Sequence, residues 1–235
     1  MPANLWQLLT IAWIMPQTTT IDLLLYNSVA VPASIGVLKR KSLDRPYTLF
    51  LCFLLLGFFS ELIKSIPDTP LKVIRLINYL YYLTAFPLLY SSLLLWSNKM
   101  SNAKIGLGVL GIFFSICVEV YLLGLEHTKV SFVLMACLMV SIFFSLEAFV
   151  VQLSSPGTNT RIKPPLLFIV PQLVVFLFAV VMRIKLVFMF NPSTAPIFIS
   201  LWKIPQYFNL AAYLCFSLGF LWAPNKEKYL TLTGP

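Results

Sequence analysis

Apolar residues in this chain fall in long unbroken blocks, and polar residues gather in short clusters between them. The blocks do not alternate residue by residue, as the segments of a membrane β-barrel would. Each is about 20 residues long, enough for a helix rising 1.5 Å per residue to cross a hydrocarbon core about 30 Å thick. The pattern predicts helical spans over residues 19–38, 46–65, 71–97, 104–125, 130–153, 164–190 and 196–222. Pro46, the Pro67-Asp68-Thr69-Pro70 break, the polar linker from Ser154 to Lys163, and the turn Asn191-Pro192-Ser193-Thr194 supply the punctuation. The expected fold class is therefore all-α, a polytopic transmembrane bundle of seven helices.

The ends are read separately. Residues 4–15 are apolar but too short to span, and they lack the basic region of a signal peptide. With Trp6 and Trp13 they suit the headgroup level, so residues 1–18 form an interfacial segment, 19–222 the transmembrane domain and 223–235 a cytoplasmic tail.

Composition agrees: 59% of residues are hydrophobic and 11% charged, at mean hydropathy +0.88, whereas soluble domains carry about 25% charged residues. The net charge of +9 does not point to nucleic acid, because no long basic or basic-aromatic run exists. Lys and Arg instead flank the spans, where they meet lipid headgroups. With the N-terminus outside, the inner loops and tail carry Lys39, Arg40, Lys41, Arg45, Lys99, Lys104, Arg161, Lys163, Lys226 and Lys228. The outer ends carry Lys64, Lys72, Arg75, Lys129, Arg183, Lys185 and Lys203. This bias orients the chain N-out and C-in across the plasma (inner) membrane.

Several patterns lose their apparent meaning in this setting. Cys52, Cys117, Cys137 and Cys215 all lie in apolar runs, none in a CxxC pair, and read as small hydrophobes. His127 has no neighbouring set of metal ligands, and no cofactor is expected. Gly106, Gly108 and Gly111 spell G-x-G-x-x-G inside an apolar helix, where close helix packing explains them better than a dinucleotide. Pro-Gln recurs at residues 16–17, 171–172 and 205–206, but not at the matched places that sugar transporters with this dipeptide use. Lys203 lacks the mid-helix position and counter-ion of a retinal lysine.

The informative polar residues cluster at the outer ends. Arg75, Asn78, Tyr79, Tyr82 and Phe86 follow helical spacing and share one face of the third span. Glu61 and Lys64 share a face of the second, and Glu119 lies one to two turns below the outer end of the fourth. Arg183 and Lys185, two apart on the sixth, point to nearly opposite sides. Lys203, Gln206, Asn209 and Tyr213 recur at helical spacing on the seventh. Ionisable groups at such depths are costly unless paired or wetted. One reading makes them hydrogen-bonded glue between helices, each contributing about 0.6 kcal/mol, with Lys64, Lys72 and Lys185 snorkelling to headgroups. The other brings Glu61, Arg75, Asn78, Tyr79, Tyr82, Glu119, Arg183, Lys203, Gln206 and Asn209 into one ligand-binding cavity. Glu61 and Arg75 flank the same turn and are expected to pair or share a ligand. Glu147 stands apart on the inner third of the fifth span, with no other ionisable group at its depth and the Ser141 and Ser145 hydroxyls as candidate partners.

The segments SLDRPYTLFLCFLLLGFFSELIKSI, INYLYYLTAFPLLYSSLLLW and SLWKIPQYFNLAAYLCFSLGFLW together resemble a family of small bacterial seven-helix membrane proteins. That family shares a basic-Asp-Arg-Pro-like approach to the second helix, a Glu near its exit, tyrosines early in the third and an Asn in the seventh, which maps to Asn209. Its seventh-helix His is replaced here by Pro205 or its neighbour. The family has no assigned activity, so the resemblance implies topology and not chemistry.

The leading functional expectation is an outward-open bundle that binds a small anionic or zwitterionic ligand, or a lipid headgroup, as a sensory or accessory component. Short inner loops then require a separate membrane or cytoplasmic signalling partner. A small-solute transporter is the alternative. An intramembrane enzyme with Glu61 and Glu119 as an acid–base pair ranks last, because it lacks a nucleophile and orienting groups.

Overall fold

The computed structural model describes residues 28–64, 66, 69–98, 101–124, 131–154, 163–189 and 204–224. Seven helices occupy them: α1 (Ala30–Lys39), α2 (Arg45–Lys64), α3 (Leu71–Trp96), α4 (Asn102–Leu123), α5 (Phe132–Ser154), α6 (Leu166–Met189) and α7 (Ile204–Trp222). Three of them are long and apolar enough to cross a membrane, over Arg45–Ile63, Asn102–Leu123 and Phe132–Ser154. The proposed interfacial segment, the start of the first span, His127, Lys203 and the tail beyond Pro224 lie outside the described residues.

Local chemistry sets the helix ends. Pro46 is the second residue of α2, a place where a missing N–H costs nothing. Pro70 precedes α3, and its carbonyl accepts the N–H groups of Val73 and Ile74. Pro165 does the same for Phe168 and Ile169 at the start of α6. Gly124 ends α4 at φ 74°, a left-handed value that glycine tolerates, with its N–H bonded to the Val120 carbonyl. Inside α3, Pro87 cannot donate, and the Ser91 hydroxyl bonds the Pro87 carbonyl at 2.7 Å.

Contacts between helices define a closed ring: α1 packs on α2, α2 on α3, α3 on α5, α5 on α6, α6 on α7, and α7 back on α1. Helix α4 lies outside this ring, against α3 and α5. Its buried positions are Ile112 and Glu119, while Leu107, Leu110, Phe113, Phe114 and Tyr121 are exposed.

One end of the ring is filled by aromatic side chains. Phe168 stacks on Phe216 (centroids 5.7 Å apart, planes at 7°) and meets Phe50 and Phe220 edge-on, each at 4.9 Å. Tyr47 and Trp96 complete the cluster. Offset and edge-on pairs of this kind each add about 0.5–1.5 kcal/mol beyond area burial. At the same end Lys39 Nζ donates to the carbonyls of Phe220 (3.2 Å) and Leu221 (2.7 Å), tying α1 to the last turn of α7. Glu147 is not isolated at its depth: Lys104 Nζ, from the start of α4, lies 3.9 Å from its Oε1. Ser141 instead donates to the Cys137 carbonyl. The four cysteines are free thiols.

Candidate functional site

At the opposite end, where α2 leads into α3, the polar residues form two separate groups. The first is built on Glu119, whose side chain is fully buried. Its Oε1 accepts the Tyr79 hydroxyl at 2.8 Å. Its Oε2 accepts the Ser131 hydroxyl and the Val133 backbone N–H, both at 3.0 Å. Arg75 Nη1 lies 3.9 Å from Oε1, near enough for charge attraction but too far for a hydrogen bond. Ser131 immediately precedes α5 and also accepts the Leu134 N–H at 3.3 Å. Serine and glutamate thus share the orphan donors of the first turn of α5, and the carboxylate charge faces the positive end of that helix. This arrangement fixes the outlying helix α4 to α3 and α5. A hollow of about 340 Å³ beside it is walled by Phe114, Val118, Leu122, Leu123 and Phe132. Both Glu119 oxygens are already bonded, so that hollow is an apolar groove facing outward and not a polar site.

The second group lines a cavity of about 180 Å³ inside the helix ring. Its polar wall is Glu61 from α2, Tyr81 from α3, Gln172 from α6, and Asn209 and Tyr213 from α7. Phe53, Phe176 and Phe216 supply apolar surface. Glu61 is exposed, whereas Gln172 is only 4% exposed. From Phe53 to Glu61 the lining runs along α2 for about 12 Å, at 1.5 Å per residue. Glu61 therefore marks the mouth. Phe216 belongs to the aromatic cluster and closes the floor. Gly57 makes room for the opposite wall: a Cβ there would lie 3.5 Å from the Tyr81 hydroxyl oxygen.

Gln172, Asn209, Tyr81 and Tyr213 make no side-chain hydrogen bond with a described residue. In an apolar surrounding each such group costs on the order of 1–3 kcal/mol unless water or a ligand satisfies it.

The expected single cavity is thus divided. Arg75 and Tyr79 turn to Glu119, and Tyr82 packs on Tyr81 and Phe86 within the aromatic core. The described ion pair of Arg75 is to Glu119, where the sequence suggested Glu61. The two carboxylates meet different faces of α3, Glu119 beside Tyr79 and Glu61 across the cavity from Tyr81. Glu61 and Asn209 do share a cavity. Asn78 is half-buried and lies in neither group as described. Arg183 and Gln206 fall in α6 and α7 with side chains outside the described set. Tyr81, Gln172 and Ser131 were not in the candidate set, whereas Tyr213 shares the helical spacing that singled out Asn209. Gly57, one helical turn before Glu61, is the sequence signal that bears on Tyr81: a small residue below a charge leaves space on that face.

The chain matches no protein-family model, no curated protein and no solved structure.

Proposed function

We propose that this chain is a seven-span integral membrane protein, N-terminus outside and C-terminus in the cytoplasm, that binds a small polar ligand in the cavity mouthed by Glu61. It serves as a sensory or accessory component and passes its state to a separate partner. One observation carries the reading: four polar side chains converge on one cavity without side-chain hydrogen bonds to described residues. Groups left so in a membrane protein are expensive, and a cavity occupant repays that cost. The Glu119 group is read as structural, since its carboxylate is fully engaged, and an acid–base pair with Glu61 is the last-ranked of the three readings.

Binding is tested by thermal unfolding of the full chain in detergent against a panel of small polar metabolites, with Gln172→Leu as the comparison. A hit raises the melting temperature of wild type progressively with concentration, because only the folded state binds. The variant responds less. Equal responses from both proteins to every hit would remove the cavity from the account. Orientation is tested by cysteine labelling: Ser42→Cys reacts from the cytoplasm and Ser193→Cys from outside.

Transport is the second reading, favoured by the depth of Gln172, seven residues into α6 from the end opposite the mouth. It requires the Phe168–Phe216 stack to part. Flux of a hit into proteoliposomes separates transport from binding alone.

A further inference from the structure

We infer that the occupant of this cavity is a small organic cation, an ammonium group on a short aliphatic body. The inference rests on the cavity being a ligand site and adds the charge and shape of what fills it.

Three features of the lining select positive charge. The ionisable carboxyl among its described residues is Glu61, at the mouth, and no Lys or Arg is among the described residues that line it. A carboxylate offers about four lone-pair sites, so Glu61 can receive an ammonium whatever else it contacts. The described cation on the neighbouring stretch of α3, Arg75, is directed to Glu119. The second feature is aromatic. Phe53, Tyr81, Phe176, Tyr213 and Phe216 present rings to the same volume, and ring faces attract cations, more strongly when water is excluded. The third is hydrogen bonding. The side-chain amide oxygens of Gln172 and Asn209 and the hydroxyl oxygens of Tyr81 and Tyr213 can all accept from an ammonium or hydroxyl.

An anion would meet the opposite conditions: a carboxylate at the mouth and an aromatic lining within. Size narrows the class further. A volume of 180 Å³ equals about six water molecules at ~30 Å³ each, which suits a body the size of choline or 1,4-diaminobutane. The ammonium sits between Glu61 and the tyrosine hydroxyls, and the far end reaches Gln172, which is buried and makes no side-chain hydrogen bond with a described residue.

A soluble amine and an amine-bearing lipid headgroup share this chemistry, and the test separates them. The full chain is reconstituted in nanodiscs of phosphatidylglycerol alone and titrated with choline, 1,4-diaminobutane, sodium acetate and sodium phosphate at matched ionic strength. At least one of the two cations raises the melting temperature in a saturable way, and neither anion does. Glu61→Gln weakens that response at least tenfold in apparent Kd. Gly57→Leu, which plugs the cavity without touching its charge, abolishes it and stands in should Glu61→Gln fail to fold. Adding phosphatidylethanolamine to the discs then identifies the source. If it stabilises the protein and blunts the soluble amine, the headgroup is the occupant; if it does neither, the free amine is. Saturable stabilisation by acetate or phosphate that Gln172→Leu removes would keep the cavity as a ligand site but overturn its cation preference. No response to either cation, or one unchanged in both Glu61→Gln and Gly57→Leu, would overturn the inference.

Discussion

Tyr79 donates its hydroxyl to Glu119 at 2.8 Å across 40 positions of sequence, joining α3 to a helix that otherwise lies outside the ring. Glu119 is one of the two buried positions on α4, so this bond and its companions from Ser131 and Val133 decide where α4 sits.

Glu119→Ala is expected to destabilise the protein by about 3–5 kcal/mol, the usual cost of breaking a buried ion pair, here the one with Arg75. Adding Arg75→Met restores part of the loss. Tyr79→Phe alone costs about 1.5–3 kcal/mol, typical of a hydrogen bond to a charged group, and much less in the Glu119→Ala background. Denaturant unfolding of wild type, the three single variants and the two double variants in detergent checks this, and strict additivity would show that the residues are uncoupled.

Glycines predict a contrast. A Cβ on Gly219 would overlap the edge of the Phe168 ring, a fully buried ring held among Phe50, Phe216 and Phe220. Gly219→Ala should cost about 1–3 kcal/mol, as overpacking does. Gly111 has nothing within 4 Å of such a Cβ. Gly111→Ala should gain about 0.5–1 kcal/mol from helix preference. Melting temperatures of the two variants, moving in opposite directions from wild type, are the readout.

Lys39 belongs to the basic cluster on which the proposed orientation rests, yet its ammonium also bonds the last carbonyls of α7. Lys39→Met should therefore lower stability by about 0.3–1 kcal/mol, the usual value of a cation at a helix C-terminus. The labelling pattern at Ser42→Cys should not change, because Arg40, Lys41 and Arg45 keep the charge bias. An inverted or mixed labelling pattern would make Lys39 an orientation signal above all.

Gln172→Leu is expected to raise the melting temperature of the ligand-free protein while weakening its response to bound probes. Replacing a buried amide that bonds no described side chain or backbone by an apolar group of similar size removes a desolvation penalty of about 1–3 kcal/mol. Sites kept for binding often carry such costs. A loss of stability in the ligand-free variant would mean that the amide contributes to folding in its own right.

The helices were legible because their signal is one-dimensional. Apolar runs opened by Pro46, Pro70 and Pro164 fix where α2, α3 and α6 begin, to within two residues of the expected spans. The site was legible only in part. Periodicity assigned Arg75 and Tyr79 to one face of α3, and they do act together, but it cannot say which helix that face meets. The neighbour proved to be α4, so these residues anchor a helix instead of lining the cavity. Tyr81 falls outside that face and was passed over, although it lines the cavity. Ser131 was missed because its role depends on Glu119 arriving from a different helix.

Tyr79 and Tyr81 are two residues apart on α3, about 200° around an axis of 3.6 residues per turn, so one hydroxyl serves Glu119 while the other borders the cavity. Helix α3 thus carries a spoke on each side, one in the cavity wall and one in the seat of the outlying helix. The two sites share a single rigid segment of chain, so any displacement of that segment would be felt at both.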